Sequence, residues 1–184
     1  MYSIFLYLVT EVLLGKGMSR HEYIFEKLLN ILPGFRGYRK KEYVREDDKL
    51  VREYLVKVLT EAVRDLEDAI ANIAEYDFKT AELFDNTLRD LRTVADKIRW
   101  AEHGYSPHFN IVKVREEDLA KMRDIDSSLV ENVEKIRDFV SDIKKESLLK
   151  NPVRDKVQNL VKLLDDVKVK LVEREKVLKG WSLG

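Results

Sequence analysis

The sequence contains no cysteine, and this absence excludes several kinds of site together. Disulfide bonds, thiolate nucleophiles and thiolate metal sites are all ruled out. We therefore expect a protein of a reducing compartment, the cytoplasm. Histidine is scarce as well, and none of the three histidines follows a glutamate by three residues. The Glu-x-x-His pairs of ferritin-like di-iron bundles are thus missing.

Glycine and proline are also few, with seven and three residues in a chain of 184. No glycine-rich phosphate loop of the Walker or G-x-G-x-x-G type occurs, and no G-x-S-x-G motif of serine hydrolases. An excess of charge of one sign is missing too, because 34 lysines and arginines balance 34 aspartates and glutamates. No whole-molecule field therefore favours nucleic acid or an anionic membrane. Glutamine occurs once, at Gln158, while lysine and glutamate abound, a composition typical of thermophile proteins.

A hydrophobic run long enough to cross a membrane is missing as well. Residues 1–18 form a mainly apolar N-terminal extension, but Glu11 interrupts it and it falls short of the ~20 residues of a spanning helix. We expect no transmembrane segment. Two interpretations stay open: a segment that docks on the body, or an extension that arises because the natural start is Met18. A capping box from Ser19 to Glu22 follows directly and would open a helix.

Amphipathic helix is what the sequence has in abundance. Apolar residues recur at spacings of three and four, which predicts helices over 20–32, 39–76, 79–103 and 116–147, and a fifth that Asn151-Pro152 opens and Gly180 ends. Asp77 is the predicted N-cap at a turn after the second helix, and one continuous rod is the alternative. The pattern predicts an all-α fold, an elongated antiparallel bundle of about five helices with coiled-coil-like packing, in one domain over 19–184. Part of an apolar seam is expected to remain for another chain.

Charged residues interrupt the apolar stripes at Asp48, Asp126 and Arg174. An unpaired buried carboxylate is costly, so each of them needs a partner. The predicted polar network draws on arginines and aspartates at helical spacing nearby and comprises Arg45, Asp48, Arg52, Arg92, Asp96, Arg99 and Asp126. We favour a structural ion network over a carboxylate cluster for a divalent cation or an arginine-lined pocket for an anion. We predict no catalytic residue, no metal site and no cofactor.

Two glycine-aromatic loops separate the helices, and such loops on a rigid scaffold often carry function. The candidate interaction residues in them are Phe35, Arg36, Tyr38, Arg39, Lys40, Lys41, Tyr105, His108 and Phe109. Aromatic rings interleaved with cations suit single-stranded nucleic acid, because bases stack and phosphates pair with cations. We favour the alternative, in which Phe35 and Tyr38 pack on the end of the bundle and the cations pair with the acidic residues that follow.

The first loop and the start of the second helix also carry a resemblance. The pattern from Pro33 to Tyr38, continued from Lys41 to Asp48, resembles a prokaryotic family of small helical proteins without an assigned activity. The similarity extends through Arg52, residues 92–101, Gly104-Tyr105, Phe109, residues 112–114 and Asp126. The resemblance supplies no catalytic residue. It implies that the arginine and aspartate positions form one shared polar network, which the two glycine-tyrosine loops meet.

These observations favour a non-enzymatic helical scaffold or protein–protein interaction module that binds a protein partner or a second copy of itself. One alternative is an enzyme or ligand binder that uses the Asp/Arg cluster between the helices. A second alternative is nucleic-acid binding through the basic-aromatic loop 35–43.

Overall fold

Five α-helices and no strand make up the part of the chain that the computed structural model describes, residues 20–40, 43–101 and 115–182. In chain order the helices are α1 (Arg20–Ile31), α2 (Val44–Ala74), α3 (Phe78–Arg99), α4 (Glu116–Leu148) and α5 (Lys156–Ser182). The predicted all-α helical bundle is confirmed. The predicted extension over residues 1–18 lies outside the described residues.

The turn between α2 and α3 depends on Asp77. Its carboxylate accepts the backbone N–H of Thr80 at 3.1 Å and the hydroxyl of Thr80 at 2.6 Å. The first of these bonds satisfies an amide that has no partner within the helix, which is the usual role of an N-cap. The prediction of a turn capped by Asp77 is confirmed, and the alternative of one continuous rod is wrong.

Two helical hairpins, α2–α3 and α4–α5, lie side by side. Short connections make the two helices of each hairpin antiparallel, as the sequence predicts. The long helices α2 and α4 run in the same direction, because Tyr54 donates to Glu134 while Asn72, further along α2, donates to Ser147, further along α4. The bundle is therefore two antiparallel hairpins whose first helices share the central contact. Helix α2 alone is about 46 Å long.

The predicted apolar stripes meet in one core between the helices. Side chains without any solvent exposure come from all four long helices, among them Leu55, Phe84, Leu91, Ile136 and Leu160. Burying such a side chain contributes about 1.5–3 kcal/mol, so packing rather than helix propensity holds the helices in place. The stripe of α5 is less completely covered, because Leu171 and Leu178 are only half-buried.

The pair Asn151-Pro152 closes α4 instead of opening α5, which corrects the sequence prediction. Lys150 adopts a left-handed φ of 55°, and the backbone N–H of Asn151 donates to the carbonyl of Glu146 at 3.1 Å. In this Schellman motif the backbone N–H of Asn151 satisfies a carbonyl at the end of α4, and proline commonly follows such a helix end. Helix α5 begins only at Lys156.

The first glycine loop delays the start of α2 from the predicted residue 39 to Val44. Gly37 and Tyr38 both have left-handed backbones, with φ of 69° and 55°, which a right-handed helix does not accommodate. The carboxylate of Asp47 holds this conformation by accepting the backbone N–H groups of Arg36 and Tyr38, both at 2.7 Å. Helix α3 likewise ends before its predicted limit of residue 103, at Arg99.

Candidate functional site

A cluster of buried ions joins three helices and the first glycine loop near one end of the bundle. It consists of Asp48 and Arg52 of α2, Asp126 of α4, Arg174 of α5 and Tyr38, and we call it the ion cluster. Arg174 lies at its centre, where its Nε donates to Asp126 at 2.7 Å and its terminal nitrogen donates to Asp48. Arg52 donates to the other oxygen of Asp48 at 2.9 Å, and the Tyr38 hydroxyl donates to Asp126 at 2.5 Å.

The charges of the ion cluster cancel within the protein interior. Two arginines face two aspartates, and all four side chains are at most 7% exposed. Burial alone would lower the pKa of Arg174, but the carboxylates of Asp126 and Asp48 outweigh it and raise that pKa well above its usual value. Burial and the nearby charge of Asp126 raise the pKa of Tyr38 well above 10. Arg174 therefore stays charged and Tyr38 stays neutral over the whole physiological range.

Every carboxylate oxygen of the ion cluster already accepts a hydrogen bond, which disfavours metal binding and acid–base catalysis there. Both oxygens of Asp48 accept from arginines, and both oxygens of Asp126 accept from Arg174 or from Tyr38. A metal ligand or a general base needs an oxygen that can face the ion or the proton it takes. The arrangement therefore favours the structural ion network over a cation site.

The structure brings together part of the predicted polar network. Asp48, Arg52 and Asp126 meet in the ion cluster, whereas Arg45 is exposed. The three residues predicted on α3 lie on the outer face of that helix, where Arg92 pairs with Glu67 at 2.6 Å and Arg99 pairs with Asp96 at 2.8 Å. Their neighbours in sequence, Leu91, Ala95 and Ile98, take the inward positions of α3, which turns the charged residues toward solvent.

Two members of the ion cluster were not in the predicted network. Arg174 was recognised as a charge within the stripe of α5, and this position was a usable signal, because a charged residue on a buried face needs a counter-charge. Tyr38 belongs to the predicted interaction residues of the first loop. No periodic pattern extends into that loop, so helical spacing gives no indication that its hydroxyl reaches a helix 88 residues further along the chain. The only sequence signal was the resemblance, which implies that the glycine-tyrosine loops meet the network.

No family model, curated protein or solved structure matches this chain. The resemblance found in the sequence therefore stays a prediction. Within residues 20–40, 43–101 and 115–182, no group of three histidine, aspartate or glutamate side chains could hold a metal ion. The same residues include no helix with both the length and the apolar character that a membrane span requires.

A cleft of about 320 Å³ opens beside the ion cluster, between the C-terminal ends of α3 and α5. We call it the end cleft. Its lining includes Arg52 and Arg174, and most of its remaining surface is apolar and comes from Leu55, Ile98, Trp100, Leu171, Val172 and Leu178. Trp100 is 63% exposed, which is unusual for so large an apolar side chain. Lys97, Glu175 and Lys179 complete the charged part of the lining. The end cleft thus combines an aromatic ring and an apolar surface with several charged side chains.

The first glycine loop forms a second, more open depression of about 330 Å³. We call it the basic hollow, and it is lined by Leu29, Phe35, Arg36, Arg39, Lys40 and Tyr43. The prediction that Phe35 and Tyr38 pack on the bundle is confirmed, since they are 7% and 1% exposed. The other predicted interaction residues, Lys41, Tyr105, His108 and Phe109, lie outside the described residues.

Proposed function

We propose that the protein is a non-enzymatic helical scaffold that associates with a second copy of itself through the side formed by α3 and α5. The observation that carries this proposal is a row of exposed apolar side chains on these two helices and at Trp100, the residue that follows α3. The row, which we call the apolar row, comprises Leu83, Trp100, Val161, Val169 and Val172, each between 37% and 63% exposed. The lack of cysteine supports a reducing, cytoplasmic setting for such a scaffold.

The two helices of the apolar row run in the same direction at the same height. Lys168 of α5 pairs with Asp90 of α3 at 2.9 Å, which aligns the helices at that level. Leu83 and Val161 each precede this pair by seven residues, or about two helical turns, so they lie at the same height as well. The apolar row therefore extends along the bundle and ends at Val172 and Trp100 in the end cleft.

The size of this face suits an interface between two copies. Helices α3 and α5 have 22 and 27 residues, about 33 and 40 Å, and two helices side by side are about 20 Å wide. The face therefore offers roughly 700 Å², close to the ~800 Å² that each partner contributes to a stable interface. A two-fold axis would lay one apolar row on the other, because the same patch serves both copies.

The ion cluster supports a scaffold rather than an enzyme. Its carboxylates accept hydrogen bonds from arginine and tyrosine, and its charges cancel. Groups of this kind fix the relative position of helices without offering a base or a nucleophile. Exposure of the apolar row to water is unfavourable, in contrast, and its burial on association would contribute about 25 cal/mol per Å² of apolar surface.

Sedimentation velocity over a concentration series tests the proposal. We expect a dimer or larger species for the wild type and a monomer for Val169→Glu, because a charge in the apolar row would be buried without a partner. The matched control is Leu149→Glu, which changes a 72% exposed leucine at the end of α4 and should leave the association intact. Circular dichroism verifies that both variants fold. A monomeric wild type at the highest attainable concentration would overturn the proposal.

A further inference from the structure

The basic hollow gathers three exposed cations, Arg36, Arg39 and Lys40. No carboxylate is among the described residues that line it. Within the described ranges neither Arg39 nor Lys40 forms an ion pair, although many other lysines and arginines of this charge-balanced chain do. Concentrated positive charge facing an open depression favours an anionic ligand.

Among the described residues, the carboxylate of Asp47 contacts the loop of the basic hollow without forming an ion pair with its cations. Asp47 is buried, and its two oxygens accept the backbone N–H groups of Arg36 and Tyr38. Burial raises the pKa of Asp47, while these two amide bonds and the positive charge of Arg36 lower it without cancelling the effect of burial. The carboxylate thus fixes the backbone from which Arg36 projects, and the guanidinium of Arg36 stays available to a ligand.

The walls of the basic hollow are held in place before any ligand arrives. The Phe35 ring packs edge-on against Phe25 and Tyr38, with ring centres 6.0 and 5.8 Å apart. The guanidinium of Arg36 lies over the ring of Tyr43, at 3.7 Å from its centre. Stacking on a ring leaves the N–H edges of an arginine free to donate, so Arg36 can contact a ligand in its resting position. Little conformational entropy of the Arg36 side chain then remains to be lost on binding.

We propose that the basic hollow binds a nucleoside phosphate, with the phosphate on Arg39 and Lys40 and the base against the Arg36–Tyr43 stack. A bare phosphate would use the cations but would leave the Arg36–Tyr43 stack and the apolar side chain of Leu29 without a ligand contact. Bases stack on tyrosine rings and on arginine planes, and cations pair with phosphates. The ligand is either a free nucleotide or a nucleotide within a single strand, and both present the same chemistry. This site is separate from the apolar row.

Isothermal titration calorimetry at low salt with three probes tests the site: adenosine monophosphate, inorganic phosphate and a single-stranded oligonucleotide. We expect adenosine monophosphate to bind more tightly than inorganic phosphate. The double variant Arg39→Ala/Lys40→Ala should weaken nucleotide binding about tenfold or more, because it removes two charge-assisted contacts. The matched control, Lys57→Ala/Arg64→Ala, removes one exposed lysine and one exposed arginine from the middle of α2 and should leave the affinity unchanged.

A second variant tests the stacking wall independently of the charges. Tyr43→Leu should lower the affinity for adenosine monophosphate about tenfold, because stacking is lost, and should leave the affinity for inorganic phosphate unchanged. An oligonucleotide that binds more tightly than the mononucleotide, with an affinity that falls steeply with salt, identifies a single strand as the ligand source. Equal affinities identify a free nucleotide. The proposal is overturned if no probe binds, if inorganic phosphate binds as tightly as the nucleotide, or if the double variant binds like its control.

Discussion

Replacement of Arg174 by methionine should destabilise the fold far more than the loss of an exposed arginine. The side chain is 5% exposed and contacts both Asp48 and Asp126, so its removal leaves the ion cluster with two carboxylates and one arginine. Breaking a buried ion pair by deleting one partner costs about 3–5 kcal/mol, because a charge remains without compensation. For a domain of this size each kcal/mol lowers the melting temperature by about 2–4 °C, so we expect a decrease of about 6–20 °C.

Thermal and urea unfolding followed by circular dichroism measure this effect. The matched control is Arg99→Met, which deletes an exposed arginine paired with Asp96 and should cost at most about 1 kcal/mol. The charge argument fails if Arg174→Met and Arg99→Met are equally stable at neutral pH.

Two further predictions concern the first glycine loop. Tyr38→Phe should lower the free energy of unfolding by about 1.5–3 kcal/mol at neutral pH, because it deletes the hydroxyl that donates to the Asp126 carboxylate. The pKa of Tyr38 in the folded state lies above its unfolded value of about 10, so the stability advantage of the wild type should shrink as the pH rises above 10. Urea titrations across that pH range measure the difference. Gly37→Ala should cost about 2 kcal/mol of stability or more, because φ is 69° and a Cβ would lie 2.1 Å from Cζ of Phe25. The control Gly34→Ala, with φ of 88° and the nearest atom 4.0 Å from the added Cβ, should cost only the backbone strain of about 1–2 kcal/mol. Equal melting temperatures for the two alanine variants would contradict the predicted clash.

The long helices were predictable because their pattern repeats over many turns. Every predicted stripe position of α2, from Val44 to Ile73, is buried, and Asp77 caps α3 as its residue type suggested. A repeated pattern averages out the individual preferences of single residues. The start of α5 was not predictable in the same way. Asn-Pro suits the beginning of a helix and the segment after one equally well, and only the closure at Lys150 decides between them.

The ion cluster was only partly predictable, for a physical reason. A charge in an apolar stripe identifies a residue that needs a partner, and this argument singled out Asp48, Asp126 and Arg174. The partner itself depends on which helices are neighbours, and helical spacing within one helix does not contain that information. Arg92 and Arg99 have suitable spacing on α3, yet they point outward, while Tyr38 reaches the cluster from a loop.

The position of Arg174 has a consequence for how the chain finds its native alignment. If α5 slid along its neighbours by one turn, Lys170, Leu171 or Leu178 would stand between Asp48 and Asp126 in its place. The two leucines would leave both carboxylates short of a donor, and the single ammonium group of a lysine cannot reproduce the fork with which arginine contacts both. Apolar stripes with uniform spacing tolerate such slippage, because one leucine resembles the next. A single guanidinium near the end of the last helix therefore selects one register among several that the apolar contacts alone would leave similar in energy.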